Sequence, residues 1–373
     1  MTLLPLVRYA CLLPAAFALL FSPQLVMCQQ SAPVAASPKA KKLIEWGFDQ
    51  PTTTRLRNDI VNMEKSPFDG VVLAAYGLDA EKKQVNLAWD AFGAKPYSKE
   101  QFTTAVEDLK ATHFKKFTDN FLRVNVTPGD VDWFDDAGWS VICSHGAVAG
   151  WICSQGRLKG IMFDTEQYNK KGRLFYYQEV PGKEKHTFKE YVAQVKKRGF
   201  EFGTALSAEK PDISILFTYT GSYQIVAEKA PLEWTILGML PAFIDGMMAG
   251  ANSKAKFVDG LETAYGAKDA GELNRLRSSV YEADKLSSDK AAFDARMTVG
   301  FGLWLDKDWQ KNGWDPANLT RNYFQPVEFE TAVRTALDLS DRYVWIYSEK
   351  LNWWTGAGIS PAYAQALEKA KVR

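Results

Sequence analysis

Residues 159–168 read Lys-Gly-Ile-Met-Phe-Asp-Thr-Glu-Gln-Tyr. An apolar run, Ile161 to Phe163, ends in two carboxylates spaced i,i+2, Asp164 and Glu166. In a strand such residues share a face. Two like charges directly after a buried run are costly unless the strand end opens into a pocket. Asp164 beside Glu166 would raise the Glu166 pKa through like charge, which is how a carboxyl group is kept protonated as a general acid. Glycosidic bond cleavage uses such an acid with a second carboxyl group. A strand end emerging into solvent is the plainer reading, and the segment gains weight because the pattern recurs along the chain.

Eight strand-like runs are legible: 43–49, 70–77, 120–126, 160–164, 213–219, 256–261, 299–305 and 343–347. Helical patterns separate them. Thr52 to Thr54 open one with Leu56, Ile60 and Met63 on one face, and Pro67 follows it. Ser98 with Gln101, and Thr187 with Glu190, are capping boxes. Gly199 reads as the stop of the second of these helices. An apolar helix is expected from about Ser140 to Cys153 and a long polar one from about Ala270 to Met297. Pro241 and several glycines argue against one straight helix over 232–248. Pro326 and Pro361 open the last two helices. Eight strand–helix units over about 330 residues predict a single-domain α/β fold, a (β/α)8 TIM barrel spanning 42–373. An open doubly wound sheet would want a Gly-x-Gly-x-x-Gly or Walker loop after the first strand, and Phe48-Asp49-Gln50-Pro51 stands there instead.

In such a barrel the C-terminal strand ends converge on one pocket. Here they carry Glu45, Asp49, Arg123, Asn125, Asp164, Glu166, Tyr219, Asp259, Glu262, Asp306 and Glu349. Glu166 reads as the acid/base and Asp164 as its tuner. Glu262 or Glu349 is the partner carboxylate, with Glu262 favoured because the sixth strand lies nearer the fourth. If Asp259 is the inward residue, that role passes to it. Tyr343, Trp345, Tyr347 and Glu349 share a face by period two. Trp353 and Trp354 follow at once, so at least one of them is expected to floor a sugar ring. Trp46, Asp49, Tyr168, Tyr219, Asp259 and Tyr347 complete the expected substrate contacts.

The composition narrows the partners. Of 373 residues, 24% are charged and the net charge is +1, so there is no electrostatic case for nucleic acid or an acidic membrane. Aromatic residues make up 13%, which suits stacking on sugars and equally suits a large core. His113, His145 and His186 are scattered without ligand spacing, so neither a metal site nor Ser-His-Asp catalysis is expected. No cofactor is expected. Arg8 followed by the apolar stretch Ala10 to Phe21 has the shape of a signal peptide over 1–28, too short to span a membrane stably. Leu25 to Cys28 resembles a lipobox, which would put a lipid anchor on Cys28; plain secretion to the periplasm or the medium is favoured. Residues 29–41, rich in Ala, Pro, Ser and Lys, read as a linker. Cys143 and Cys153 fall on one helix about 15 Å apart and cannot pair. A monomer is expected.

The strand-four segment resembles the signature of the chitinase-like family 18 glycoside hydrolases, Asp-Gly-x-Asp-x-Asp-x-Glu. Gly160, Asp164 and Glu166 match it, while Lys159 and Met162 stand at its first two Asp positions. The resemblance implies Glu166 as acid and Asp164 as the residue orienting an N-acetyl group. The family's strand-six Met-x-Tyr-Asp is replaced by Val258-Asp259-Gly260-Leu261-Glu262. More broadly the chain is similar to secreted bacterial (β/α)8 glycoside hydrolases. The expectation is a secreted glycosidase acting on an oligo- or polysaccharide. The alternatives are a non-catalytic saccharide-binding barrel and another carbohydrate-active enzyme such as a lyase.

Overall fold

The period-two runs become eight parallel barrel strands in a computed structural model that describes residues 40–169, 173–227 and 230–372. In order they are Lys42–Gly47, Gly70–Leu73, Phe121–Asn125, Gly160–Asp164, Ser214–Phe217, Lys256–Asp259, a seventh in two pieces, and Tyr343–Ser348. The seventh consists of Met297–Val299 and Phe301–Trp304 on either side of Gly300. Its first piece pairs with the sixth strand and its second with the eighth. The eighth pairs with the first, Ile44 opposite Trp345 and Trp46 opposite Tyr347. The ring therefore closes through Gly300, and the fold is the expected (β/α)8 barrel. Ala40–Arg373 forms one compact unit. The expected signal peptide, Cys28 and the linker up to residue 39 lie outside the described residues.

Alternation sorts the strand residues into two cores. Ile44, Trp46, Val72, Phe121, Met162, Leu216, Val258, Tyr343 and Trp345 pack inside the ring. Their neighbours, among them Leu43, Ile161, Phe163, Phe217 and Phe257, face the helices. Trp345 fills the middle of the ring and donates from Nε1 to the Gly260 carbonyl at 2.8 Å. A Cβ at Gly302 would sit 2.4 Å from the Trp345 ring, so the residue facing that indole has to be glycine.

Capping behaves as the sequence indicates. Thr52 caps the helix Thr53–Met63, Thr187 caps Phe188–Glu209, and Asp135 caps Asp136–Gln155, which carries both Cys143 and Cys153. Two expectations fail, one at Gly199 and one over the long polar helix. Gly199 does not end its helix; the helix runs on to Glu209. A Cβ at Gly199 would meet the Phe243 carbonyl at 2.1 Å, and one at Gly246 the Lys196 carbonyl at 2.0 Å. The glycines let this helix cross Leu240–Gly250 backbone to backbone. As expected, no single helix covers 232–248: Leu232–Trp234 is a separate short turn, and Pro241 lies in the first turn of Leu240–Gly250, where its missing N–H has no partner to lose. The long polar helix is broken into Ala270–Glu282, Ala283–Leu286 and Lys290–Arg296.

The helix crossing makes a prediction. Gly199→Ala should lose about 1–3 kcal/mol in urea unfolding, the ordinary cost of overpacking, even though alanine is the better helix former. Gly271→Ala, whose Cβ would meet only its own cap residue Asp269 at 3.1 Å, should be neutral or stabilising.

Candidate active site

The fourth strand delivers Asp164 into the mouth of the barrel, alternating with inward Met162 and opposite Asn125 of the third strand. Asp164 is fully buried. Its Oδ2 accepts from Arg123 Nη2 at 3.0 Å, and its Oδ1 accepts the Glu166 backbone N–H at 3.2 Å. Burial lifts the Asp164 pKa and Arg123 pulls it back part of the way. Arg123 is itself held between Trp89, 4.5 Å from ring centroid to guanidinium, and Trp46 at 5.4 Å. Such cation–aromatic stacking fixes a guanidinium in a desolvated place.

Glu166 stands two residues on and accepts from the Tyr168 hydroxyl at 2.7 Å. Its pKa is raised first by burial and then by the Asp164 charge, while the Tyr168 hydrogen bond and Arg123 oppose the rise. Glu262 reaches the same mouth by a different route. Leu261 adopts the left-handed conformation with φ +42°, the Leu261 N–H bonds Asp259 Oδ1 at 3.0 Å, and the Glu262 N–H bonds the Thr218 carbonyl at 3.1 Å. This turn folds Glu262 back over the ring. Burial and then the Glu166 and Asp164 charges push its pKa well above the ordinary value, against hydrogen bonds from Tyr219 and Tyr265. Burial and the neighbouring carboxylates drive the Tyr168, Tyr219 and Tyr265 hydroxyls upward, so they remain donors.

Glu166, Glu262 and Glu349 line one cavity of about 570 Å³, whose walls include Trp46, Trp89, Tyr265, Trp304 and Tyr347. Glu349 accepts from Trp309 Nε1 at 2.6 Å and from the Tyr347 hydroxyl at 3.1 Å. Asp306 holds that corner together, taking Trp304 Nε1 at 2.6 Å and the Glu349 N–H at 2.9 Å. A second cavity of about 270 Å³ lies beyond Glu166 and Tyr168, which line both; Tyr219, Leu174, Phe175 and Leu237 are among its walls. Among the described residues no group of three or more His, Cys, Asp or Glu is arranged to hold a metal ion, and no helix is long and apolar enough to cross a membrane.

The structure thus brings together Glu166, Glu262, Glu349, Trp46, Tyr168, Tyr219 and Tyr347, with Asp164 behind them. It does not bring four other expected contacts into the cavities. Trp353 and Trp354 pack on Phe68, at ring centroid distances of 4.9 and 6.4 Å. Asp49 accepts the Trp353 N–H at 2.7 Å, and its carbonyl accepts Trp354 Nε1 at 2.9 Å. That trio pins the last loop to the first strand. Asp259 is fully buried and bonds Thr220 and the Leu261 N–H, because Val258 points inward and its neighbour must point out. Glu45 also faces outward, fully buried beside the Asp49 carboxylate. The roles of Arg123, Trp89, Tyr265 and Trp304 were missed. Arg123 and Trp304 follow from strand parity, whereas Trp89 lies in the one-turn helix Leu87–Asp90 and Tyr265 just after the short turn Glu262–Ala264, where no strand period reaches.

No protein-family model and no curated protein matches the chain. Among solved structures it is similar to a GH5-4 broad-specificity endoglucanase from an uncultured bacterium, with 13% identity and TM-score 0.49 over 87% of this chain and 86% of that one. It is also similar to a glycoside hydrolase family 5 enzyme from Prevotella bryantii B14, with 8% identity and TM-score 0.49 over 89% and 96%. A third is the GH18 chitinase ChiB from Flavobacterium johnsoniae, with 9% identity and TM-score 0.39 over 89% and 94%.

Two predictions test this electrostatic reading. Tyr168→Phe removes a donor that favours the ionised Glu166, so the Glu166 pKa should rise further, read by carbon-13 NMR titration of the carboxyl group. Glu45 is raised well above its ordinary 4.5 by burial and by Asp49. The folded chain then holds a proton that the unfolded chain loses, so Glu45 costs stability as pH rises from 4.5 through its folded value. In urea midpoints taken from about pH 4 to about pH 8, Glu45→Gln should gain on the wild type steadily.

Proposed function

We propose that the protein is a glycoside hydrolase whose paired carboxyl groups are Glu166 and Glu262, and that it is exported, as the leader-like N-terminus suggests. One observation carries the reading. Two glutamates from the loops after the fourth and sixth strands face a single aromatic-walled cavity, and the Glu166 charge raises the Glu262 pKa. Two like charges so placed resist ionising together, so the pair holds one proton between them. Aromatic faces with carboxylates between them suit a sugar, which offers C–H faces for stacking and hydroxyls for hydrogen bonding.

Deeper enclosure puts the shared proton on Glu262, while Arg123 and Tyr168 favour ionised Glu166. Glu262 then gives its proton to the glycosidic oxygen as the bond from that oxygen to the anomeric carbon breaks. Ionised Glu166 meets the positive charge that develops at the sugar ring. Water supplies the hydroxyl added to the anomeric carbon, and its remaining proton returns to the carboxyl pair. One water is consumed and two hydroxyl-bearing fragments leave. This assignment moves the acid from Glu166, where the sequence pattern put it, to Glu262. Asp164 positions Arg123 and the Glu166 backbone, and Glu349 and Trp304 hold sugar hydroxyls and a ring face.

The test is turnover of chromogenic glycosides and polysaccharides. Glu262→Gln and Glu166→Gln should each lower kcat by about 10²–10⁴-fold, the size of a general acid–base contribution. Their melting temperatures should not fall, because Glu166→Gln removes a buried charge and Glu262→Gln replaces a protonated carboxyl group with a neutral amide of the same shape. In the wild type, kcat/KM should decline on the alkaline side as Glu262 loses its proton, with a midpoint above 4.5, the ordinary glutamate value. Unchanged turnover in both variants would sink the assignment. Saccharide binding with no turnover of any substrate would make the barrel a binding protein.

A further inference from the structure

The two cavities that meet at Glu166 and Tyr168 differ in what they can offer a ligand. The larger one contains unspent hydrogen-bonding groups. Arg123 Nε and Gln50 Nε2 are buried without a partner, and both residues line it alongside three glutamates. A sugar hydroxyl entering there exchanges water for protein donors and acceptors.

In the smaller cavity the polar groups of Thr165, Gln167, Tyr168 and Tyr219 are already committed. Gln167 Nε2 donates to the Pro128 carbonyl at 2.8 Å and to Asn169 at 2.7 Å, and its Oε1 accepts the Leu174 N–H. Thr165 Oγ1 shares a hydrogen bond of 3.2 Å with Thr218. The Tyr168 hydroxyl is taken by Glu166 and the Tyr219 hydroxyl by Glu262. Arg173, which also lines it, is exposed to solvent. Apart from the Glu166 carboxylate, which it shares with the larger cavity, the rest of its wall among the described residues is side-chain hydrocarbon and ring: Leu174, Phe175, Ile236, Leu237 and the Tyr219–Tyr223 ring pair, whose centroids lie 5.1 Å apart. A saccharide unit placed there would leave several hydroxyls without partners, and each unmet buried polar group costs about 1–3 kcal/mol. An apolar cavity of about 150 Å³ holds a benzene ring, and this one is about 270 Å³.

We infer that the smaller cavity is the leaving-group site and takes an apolar, ring-bearing aglycone, so the substrates are aryl or similarly apolar glycosides with the sugar in the larger cavity. The inference rests on the hydrolase reading above. Glu166, on the wall common to both cavities, then faces the junction between sugar and aglycone. The half-exposed Tyr168 ring is the partition between them.

The experiment compares three substrate types across a panel of sugars: glycosyl fluorides, 4-nitrophenyl and naphthyl glycosides, and disaccharides of the same sugars. Fluoride leaves without needing an aglycone site. With the sugar that is turned over, kcat/KM for the naphthyl glycoside should exceed that for the disaccharide by roughly tenfold or more, the scale set by a fitting apolar group in a pocket. Ile236→Trp, which narrows the smaller cavity, should lower the naphthyl-to-fluoride ratio of kcat/KM by about the same factor. A ratio is read because a general loss of folded enzyme does not move it. If disaccharides match or beat the aryl glycosides while fluorides are hydrolysed, the apolar site is wrong and the hydrolase stands. If no fluoride or glycoside is turned over, the hydrolase reading falls and this inference falls with it.

Discussion

Charge imbalance in a dry place governs this molecule. Among the described residues lining the larger cavity, Arg123 is the one cation, and it faces Glu166, Glu262 and Glu349 with Asp164 directly behind. A single guanidinium cannot neutralise that many carboxylates, and desolvation penalises each uncompensated charge. Arg123 is engaged by Asp164 at 3.0 Å. The remaining negative charge is limited in two ways: tyrosine and tryptophan donors surround the carboxyl groups, and a proton is retained. An acid that stays protonated is therefore a consequence of the packing, and it needs no separate device. The same arithmetic explains the abundance of aromatic donors at the barrel mouth, since Tyr168, Tyr219, Tyr265, Tyr347 and Trp309 each supply an N–H or O–H without adding charge.

Strand parity divides the acidic strand ends into two jobs. Inward residues and the loops that fold back over the ring make the cavity. Outward residues hold loops in place. Asp259 stabilises the left-handed turn at Leu261 that aims Glu262, and Asp49 anchors Trp353 and Trp354. Asp306, past the end of its strand at Trp304 where parity no longer applies, does the same for Trp304 and the Glu349 backbone. The supports are as acidic as the site, because a carboxylate accepts several N–H bonds from a tight turn better than any other side chain. Acidic strand ends alone therefore overcount the functional groups.

This explains how far the sequence could be read. The eight strands and the capping boxes were legible because hydrophobic period and cap chemistry are local. Asp164, Glu166 and the inward face of the last strand were legible because they continue a strand's alternation. Asp259 was readable in principle: an inward Val258 forces it outward. Trp353 and Trp354 were not, because past the strand end parity lapses and their position depends on Phe68 and Asp49, far away in sequence. Gly199 was misread because a glycine at a helix end and a glycine at a helix crossing look alike until the partner backbone, here Phe243, is known.

The unevenness of the barrel mouth was the least legible feature, and it bears most on function. Cavity shape alone would treat the two chambers as neighbouring sugar sites. Hydrogen-bond satisfaction separates them. On one side buried donors wait for a partner; on the other, Gln167 and Thr165 spend theirs on the loops that carry Leu174 and Thr218. The internal bonds that order the smaller chamber also use up the polar groups of Gln167 and Thr165 there. Tyr168 ties the two together, since it lines both cavities and its hydroxyl donates to Glu166. A group entering the smaller chamber would pack against the residue whose hydrogen bond opposes the rise of the Glu166 pKa, so occupancy of that chamber and the charge state of Glu166 depend on one side chain.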